Sequence, residues 1–464
     1  MIYHDVNPRF ERKQPFALYA AALALLVGTI MPAQSAAQSI RLTLADALRH
    51  TLESNSGVRK AHMDILGGKY KTDEVRAQAL PQISGTAGIT DQLIKPQFVL
   101  PGDAFGRPGE VVAIESGTTY NANAGISVNQ QLFNKQVFAG LKASKASEEF
   151  YRTSASLTEE NALEQTATAY YQVLVNRQQL GVIDANIRSV QQVEKTVTDQ
   201  FRSGLAKRID LDRVRVNLTN LRTQREQLVN AVIMQENALK FYIGMPVSTP
   251  IVLPEDSLVA AELKAEFADT VNYEAKTEYR LLKKQEDLLQ LRKKAYEAEY
   301  YPSLSLSGSY SYNGMSNKFD LFRKKGDAFW YDMSSVGLSL RIPVFSGGAT
   351  KAKIRQADVD LLQIREDQRN AKQSLNLANE NAKIQIRNSM NTIKLQAENV
   401  QLAEEVYTST RNNYQNGLAT LTDLLDAETA RTAAQNSYSQ ALLNYKLAEI
   451  QIIKANGNIK SLLN

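Results

Sequence analysis

The 464-residue sequence contains no cysteine, which excludes disulfides, thiolate metal sites, cysteine nucleophiles and a lipid-bearing cysteine. Histidine occurs three times and methionine eight times, scattered, so neither a histidine metal site nor a methionine metal path is suggested. Gly67-Gly68-Lys69 lacks the upstream glycine and the following Ser/Thr of a phosphate loop. No nucleophile or metal cluster is found, so an enzyme is not expected and no cofactor is implied. The net charge of +5 is small for the length and made of interspersed signs, which argues against nucleic acid as a partner. After residue 37 no apolar run approaches the roughly 20 residues of a membrane helix. Residues 1–37 themselves read as a signal peptide. Arg9, Arg12 and Lys13 precede the apolar stretch Phe16 to Ile30, and Ser35-Ala36-Ala37 offers a cleavage point before Gln38.

What is present is a duplication. Leu80-Pro81-Gln82-Ile83-Ser84 returns as Tyr301-Pro302-Ser303-Leu304-Ser305, and Ile126-Ser127-Val128 with Leu132-Phe133 returns as Leu338-Ser339-Leu340 with Val344-Phe345. Phe201-Arg202-Ser203-Gly204-Leu205, followed by Asp210-Leu211, returns as Tyr414-Gln415-Asn416-Gly417-Leu418, followed by Asp423-Leu424. The copies are too long for a solenoid unit. They divide the mature chain into a first repeat at 38–254 and a second at 255–464, each expected to hold two strands and a long helical hairpin.

Four segments alternate with period two, at about 82–90, 120–133, 303–312 and 334–345. One face is apolar (Ala122, Ala124, Ile126, Val128 and Leu132 in the second strand; Val336, Leu338 and Leu340 in the fourth). The other is small, polar and almost uncharged. Such strands suit a sandwich edge or a membrane barrel. The long loops at 91–119 and 313–331, and Phe329, Trp330 and Tyr331 beside Tyr310 and Tyr312, favour the barrel and an aromatic belt in outer-membrane lipid. Four strands cannot close a cylinder, and open edges do not survive in lipid. Two chains would give eight strands and three would give twelve; the polar face favours three.

Proline-free stretches at 136–201 and 350–414 carry apolar residues every seven positions (Val173, Leu180, Ile187, Phe201; Ile386, Ile393, Val400, Tyr407, Tyr414), with Glu194 interrupting the first series and Met390 and Ala397 lying between members of the second. The returning stretches carry Leu211, Leu218, Val232 and Leu239, and Ala427, Ala434, Ala441 and Ala448. A sustained seven-residue period predicts coiled coil, with hairpins over about 136–243 and 350–456. The fold class is therefore mixed α+β, mainly α: four strands per chain of a shared twelve-stranded trimeric barrel, joined to a helical coiled-coil barrel. Gly204 and Gly417 mark the hairpin tips and read as ordinary helix stops. Asp423 and Asp426 lie three apart on one helical face just past the second tip. They read equally as acids complementing a helix N-terminus, Thr420 with Asp423 being spaced as a capping box, and as a ring of charge in an oligomer.

The duplicated module, the junction Pro343-Val344-Phe345-Ser346-Gly347-Gly348 and the tip Tyr414-x-x-Gly417-Leu418 … Asp423-x-x-Asp426 resemble the TolC family of outer-membrane export ducts over nearly all of 40–460. The resemblance implies a homotrimer in the outer membrane of a Gram-negative-type bacterium, with a long periplasmic tunnel. It further implies work with a periplasmic adaptor and an inner-membrane efflux pump or ATP-driven transporter, to expel small toxic molecules or secreted polypeptides. By resemblance Asp423 and Asp426 form the periplasmic constriction, and Asp210 and Tyr414 belong to polar links that close it. Arg202, Ser203, Gly204 and Leu205, with Gln415, Asn416, Gly417 and Leu418, form the adaptor-docking tips. Ala419 stands where a member of the family has an arginine paired with the acid matching Asp210, so Lys207 or Arg208 would have to substitute in that link. The alternative reading is a non-transporting coiled-coil scaffold or adhesin of the cell envelope.

Overall fold

A computed structural model describes residues 40–254, 271–323 and 327–463; the expected signal peptide at 1–37 lies outside them. In chain order the elements are β1 (Ile40–Arg41), α1 (Leu44–Ser54), α2 (Ser56–Ala77), β2 (Gln82–Asp91), β3 (Gln97–Pro101), β4 (Val111–Glu115), β5 (Tyr120–Asn134), α3 (Lys135–Arg202) and α4 (Arg208–Ile243). There follow β6 (Ile251–Val252), α5 (Thr277–Glu297), β7 (Ser303–Ser316), β8 (Phe329–Arg341), α6 (Ala349–Gln415) and α7 (Leu421–Ala455). The fold is mainly helical, with a four-stranded antiparallel sheet in the order β2-β5-β7-β8.

Register explains the two faces of that sheet. One cross-strand row is Ser84, Ser127, Ser309 and Ser335, with Ser84 bonded to Ser127 at 2.7 Å and Ser309 to Ser335 at 2.8 Å. The adjacent row on the opposite face is Ile83, Val128, Gly308 and Val336. Ile83 is 70% and Val336 83% exposed, and nothing among the described residues covers them. At the loop end the row Ile89, Ala122, Gly314, Trp330 lets the indole lie flat. A Cβ on Gly314 would stand 2.7 Å from that ring, so no larger residue fits. Trp330 stacks on Tyr312 at 4.8 Å between ring centres.

Three details depart from the sequence reading. The fourth strand runs 329–341 rather than 334–345, because Phe329, Trp330 and Tyr331 pair with Met315, Gly314 and Asn313 while Pro343 lies past the last pair. A register shift between Gln131 and Phe133 makes Leu132 an extra residue, so Phe133 takes the place opposite Leu304 on the apolar face. The segment at 91–119, read only as a long loop, contains a hairpin of β3 and β4 that exposes Phe98, Val99 and Val111.

β5 runs into α3 with no intervening residue, Asn134 capping the helix by accepting from the Gln136 N–H at 3.0 Å. In the second half Gly347 and Gly348, at φ 63° and 84°, turn the chain into α6. At 68 and 67 residues, α3 and α6 each reach about 100 Å. The main core lies midway along them, where Leu42, Leu48, Leu163, Tyr170, Val173, Leu239, Ile243 and Ile450 are buried together. A second core runs toward the tips through Ile183, Ile187, Val190, Val197, Leu211, Val214 and Leu218. The alanine seam of α7 is buried at Ala427, Ala434, Ala441 and Ala448. In α6 the seven-residue series faces inward at Ile386 and Tyr407, whereas Met390 and Ala397 are exposed. Glu194, which breaks the series in α3, pairs with Arg215 of α4 at 3.3 Å.

Candidate functional site

The two hairpin tips are built by the same backbone device. In the first, Gly204 (φ 74°) donates to the Phe201 carbonyl at 3.0 Å and Leu205 to Gln200 at 2.8 Å. In the second, Gly417 (φ 76°) donates to Tyr414 at 3.0 Å and Leu418 to Asn413 at 2.8 Å. This closes off the last carbonyls of α3 and α6 and needs a left-handed residue, which glycine supplies. The leucines that follow point into solvent, Leu205 82% and Leu418 78% exposed. Arg202, Ser203, Gln415 and Asn416 are exposed as well.

Asp423 sits at the third position of α7 and completes a reciprocal cap. Its Oδ2 accepts from the Thr420 hydroxyl at 2.7 Å and the Thr420 N–H at 2.9 Å, while its own N–H donates to Thr420 Oγ1 at 3.2 Å. The Thr420 hydroxyl, then the Thr420 N–H, hold its carboxyl below the ordinary aspartate range. Asp426 is exposed and lines an open groove of about 760 Å³ between α4 and α7 with Val216, Leu221 and Leu425.

Asp210, at the matching position of α4, accepts from the Lys207 N–H at 3.3 Å. Tyr414 donates not to Asp210 but to Gln200 Oε1 on α3, at 3.1 Å. Its hydroxyl pKa is pushed up, first by burial and then by the Asp210 charge nearby. Of the two basic residues considered as substitute links, Arg208 is turned onto its own helix, its Nε 3.2 Å from both Asp212 oxygens, while the Lys207 side chain is exposed. A second bond between the hairpins here, beside Tyr414 to Gln200, runs from Arg213 Nη1 to Thr422 Oγ1, at 3.1 Å.

Further in lies a polar cluster that the sequence reading did not anticipate. Arg431, 8% exposed, donates from Nη2 to Glu428 Oε1 at 2.8 Å and to Asn186 Oδ1 at 3.0 Å, and from Nη1 to Glu404 at 3.4 Å. Its guanidinium carbon lies 3.9 Å from the ring centre of Tyr407. Burial pushes the Glu428 carboxyl up, opposed by Arg431. The available signal was an acid and a base three apart on the alanine face of α7, where neighbouring positions are apolar. Among the described residues no group of three or more His, Asp or Glu could hold a metal, and no helix is long and apolar enough to cross a membrane.

A sheet with one apolar and one almost uncharged polar face, run into helices of this length, is the architecture of a tunnel-type outer-membrane channel. The chain belongs to the outer membrane efflux protein family, whose sequence profile matches residues 47–245 and 281–458. It is similar to the outer membrane protein TolC of Vibrio cholerae serotype O1, at 22% identity over 387 residues, covering 83% of each chain. It is also similar to the pyoverdine export outer membrane protein OpmQ of Pseudomonas aeruginosa, at 24% identity over 392 residues, covering 82% of this chain and 78% of that one. The crystal structure of the outer membrane protein VceC from Vibrio cholerae shares the fold, with a TM-score of 0.69 at 14% identity over 89% of this chain and 96% of that one. The protein is thus an outer-membrane channel of the efflux and secretion class.

Proposed function

We propose that three copies pool their sheets into one twelve-stranded barrel and their helices into a periplasmic tunnel that ends at the hairpin tips. One observation carries this reading: among the described residues the four-stranded sheet ends in two unpaired edges, β2 and β8, and leaves its apolar face bare. Open edges are not tolerated in lipid, and pairing β2 of one copy with β8 of the next removes both. Eight strands would leave an interior filled by side chains, whereas twelve leave room for a wet passage lined by the serine row.

The tunnel is a passive conduit with no chemistry of its own, and its energy comes from an inner-membrane efflux pump or ATP-driven transporter. Its cargo is small toxic molecules or secreted polypeptides; similarity to a protein named for pyoverdine export supports the former. Arg202, Ser203, Gly204 and Leu205, with Gln415, Asn416, Gly417 and Leu418, dock the periplasmic adaptor, the bare leucines supplying the apolar contact. Asp423 and Asp426, backed by Asp210 and Tyr414, form the periplasmic gate. Six acids around one axis favour cations at the narrow point. In planar bilayers the purified protein should conduct with cation preference, and Asp423→Asn with Asp426→Asn should reduce it. Unchanged preference in the double variant removes these acids from the gate. Absence of any conductance favours the envelope scaffold.

A further inference from the structure

The register of the sheet divides the aromatic residues of β8 between its two faces. Trp330, in step with Tyr310 and Tyr312, stands on the apolar face turned to lipid. Phe329, Tyr331 and Met333 stand on the other face, in line with Ser335 and the serine row of the passage. They lie at the loop end of the strand, away from α6, and so at the outer mouth. Their cross-strand neighbours on that face are mostly small or amide side chains, Ser311, Asn313 and Asn123 among them. No charged side chain falls in these three rows. Phe329 is 66% and Met333 61% exposed, and the Phe329 and Tyr331 rings are nearly parallel, 5.8 Å between centres and 28° between planes. Together they form an apolar patch on a wall otherwise suited to water.

Neither the sheet nor the duplication demands this patch. The repeat that sets Ile126 against Leu338 sets Asn121 against Met333 and Thr119 against Tyr331, so the first copy is polar where the second is aromatic. Lipid lies on the opposite face. A neighbouring copy joined through its β2 brings Thr86, Gly88 and Thr90 to this side, residues too small to cover two rings. Apolar surface left bare to water in this way marks a place of binding. Exposed, nearly parallel rings receive a further flat ring by offset stacking, the arrangement that aromatic quadrupoles favour. The Met333 thioether adds a soft contact that adapts to rings of different outline. With no charge in these rows, ring shape is the basis of choice. We propose that Phe329, Tyr331 and Met333 form a stacking site for flat aromatic cargo at the outer end of the passage. The proposal rests on the channel reading above and narrows its cargo. Stacking of this kind is weak, as a conduit requires, because what binds must also leave.

The chain has a single tryptophan, and Trp330 stands between Phe329 and Tyr331, so its emission reports on the site from the far side of the sheet. In nanodiscs, binding of the flat fluorophore umbelliferone is read as energy transfer from Trp330. The expected transfer saturates, is displaced by caffeine and is untouched by mannitol. Phe329→Ser with Tyr331→Ser should weaken it severalfold with Trp330 left in place, whereas Tyr331→Phe retains it. Equal transfer in the double variant puts the probe in lipid beside Trp330 and overturns the site. Transfer that never saturates, or that caffeine does not displace, overturns it as well. Conductance of the same preparation in planar bilayers keeps the two readings apart. A protein that conducts without stacking the probe refutes the site alone. One that stacks the probe without conducting supports the site and contradicts the channel.

Discussion

The turn after α3 and the turn after α6 share one backbone and differ in charge. Both close on a left-handed glycine with matched hydrogen bonds and both are followed by an exposed leucine. Yet the duplication sets Arg213 against Asp426, Arg215 against Glu428 and Leu218 against Arg431. In the first hairpin Leu218 joins an apolar core and Arg215 reaches Glu194 on the surface. In the second, the same two positions hold a buried ion pair. Backbone geometry is common to the copies because both must reverse a long helix. Charge differs: only the second hairpin sets two acids three apart, Asp423 and Asp426, at its first turn and a buried Arg431–Glu428 pair behind them.

The largest test of that contrast makes the second hairpin resemble the first. Arg431→Leu strands Glu428 and should cost about 3–5 kcal/mol, read as a lower midpoint in denaturant or heat. Adding Glu428→Leu should recover most of the loss. An unchanged midpoint in the single variant means that the cluster ties nothing together. Next in size, Gly204→Ala and Gly417→Ala should each cost about 1–2 kcal/mol for placing a side chain in the left-handed region. Near-equal losses sharpen the claim of one shared turn, and a clear inequality breaks it. Thr420→Ala should cost about 1 kcal/mol by removing a capping hydroxyl, whereas Lys207→Ala, whose cap is made by the backbone N–H, should change little.

Acid should act on Asp423 and on Glu428 in opposite senses. The lowered Asp423 contributes stability that is present above the ordinary aspartate value and is lost as the pH falls through its own lower value. The raised Glu428 is the reverse case, its contribution being full below the ordinary glutamate value and lost as the pH rises through its folded value. Hydrogen exchange on acidification should therefore quicken first at Leu421–Ala427. Quickening first around Arg431 contradicts the assignment.

The strands and long helices were legible because each obeys one period over many residues: two in β5 and β7, seven in α3 and α6. The β3–β4 hairpin escaped because Phe98, Val99 and Leu100 are consecutive and alternate with nothing. The strand β8 was placed too late because Phe329, Trp330 and Tyr331 read as a loop belt, when Gly314 opposite makes room for the indole within the sheet. At the site, Asp423 and the glycines were visible as a capping pattern. The partner of Tyr414 was not, because Gln200 lies 214 residues away and nothing local marks it. Arg431 carried one local sign, Glu428 three residues before it, while its other partners lie far off in sequence on α3 and α6.

The central claim is that separate chains complete one barrel with their unpaired edges β2 and β8. Light scattering on detergent-purified protein, corrected for bound detergent, measures it most directly. Three chains per particle are predicted, and a particle of one chain that still conducts would contradict it.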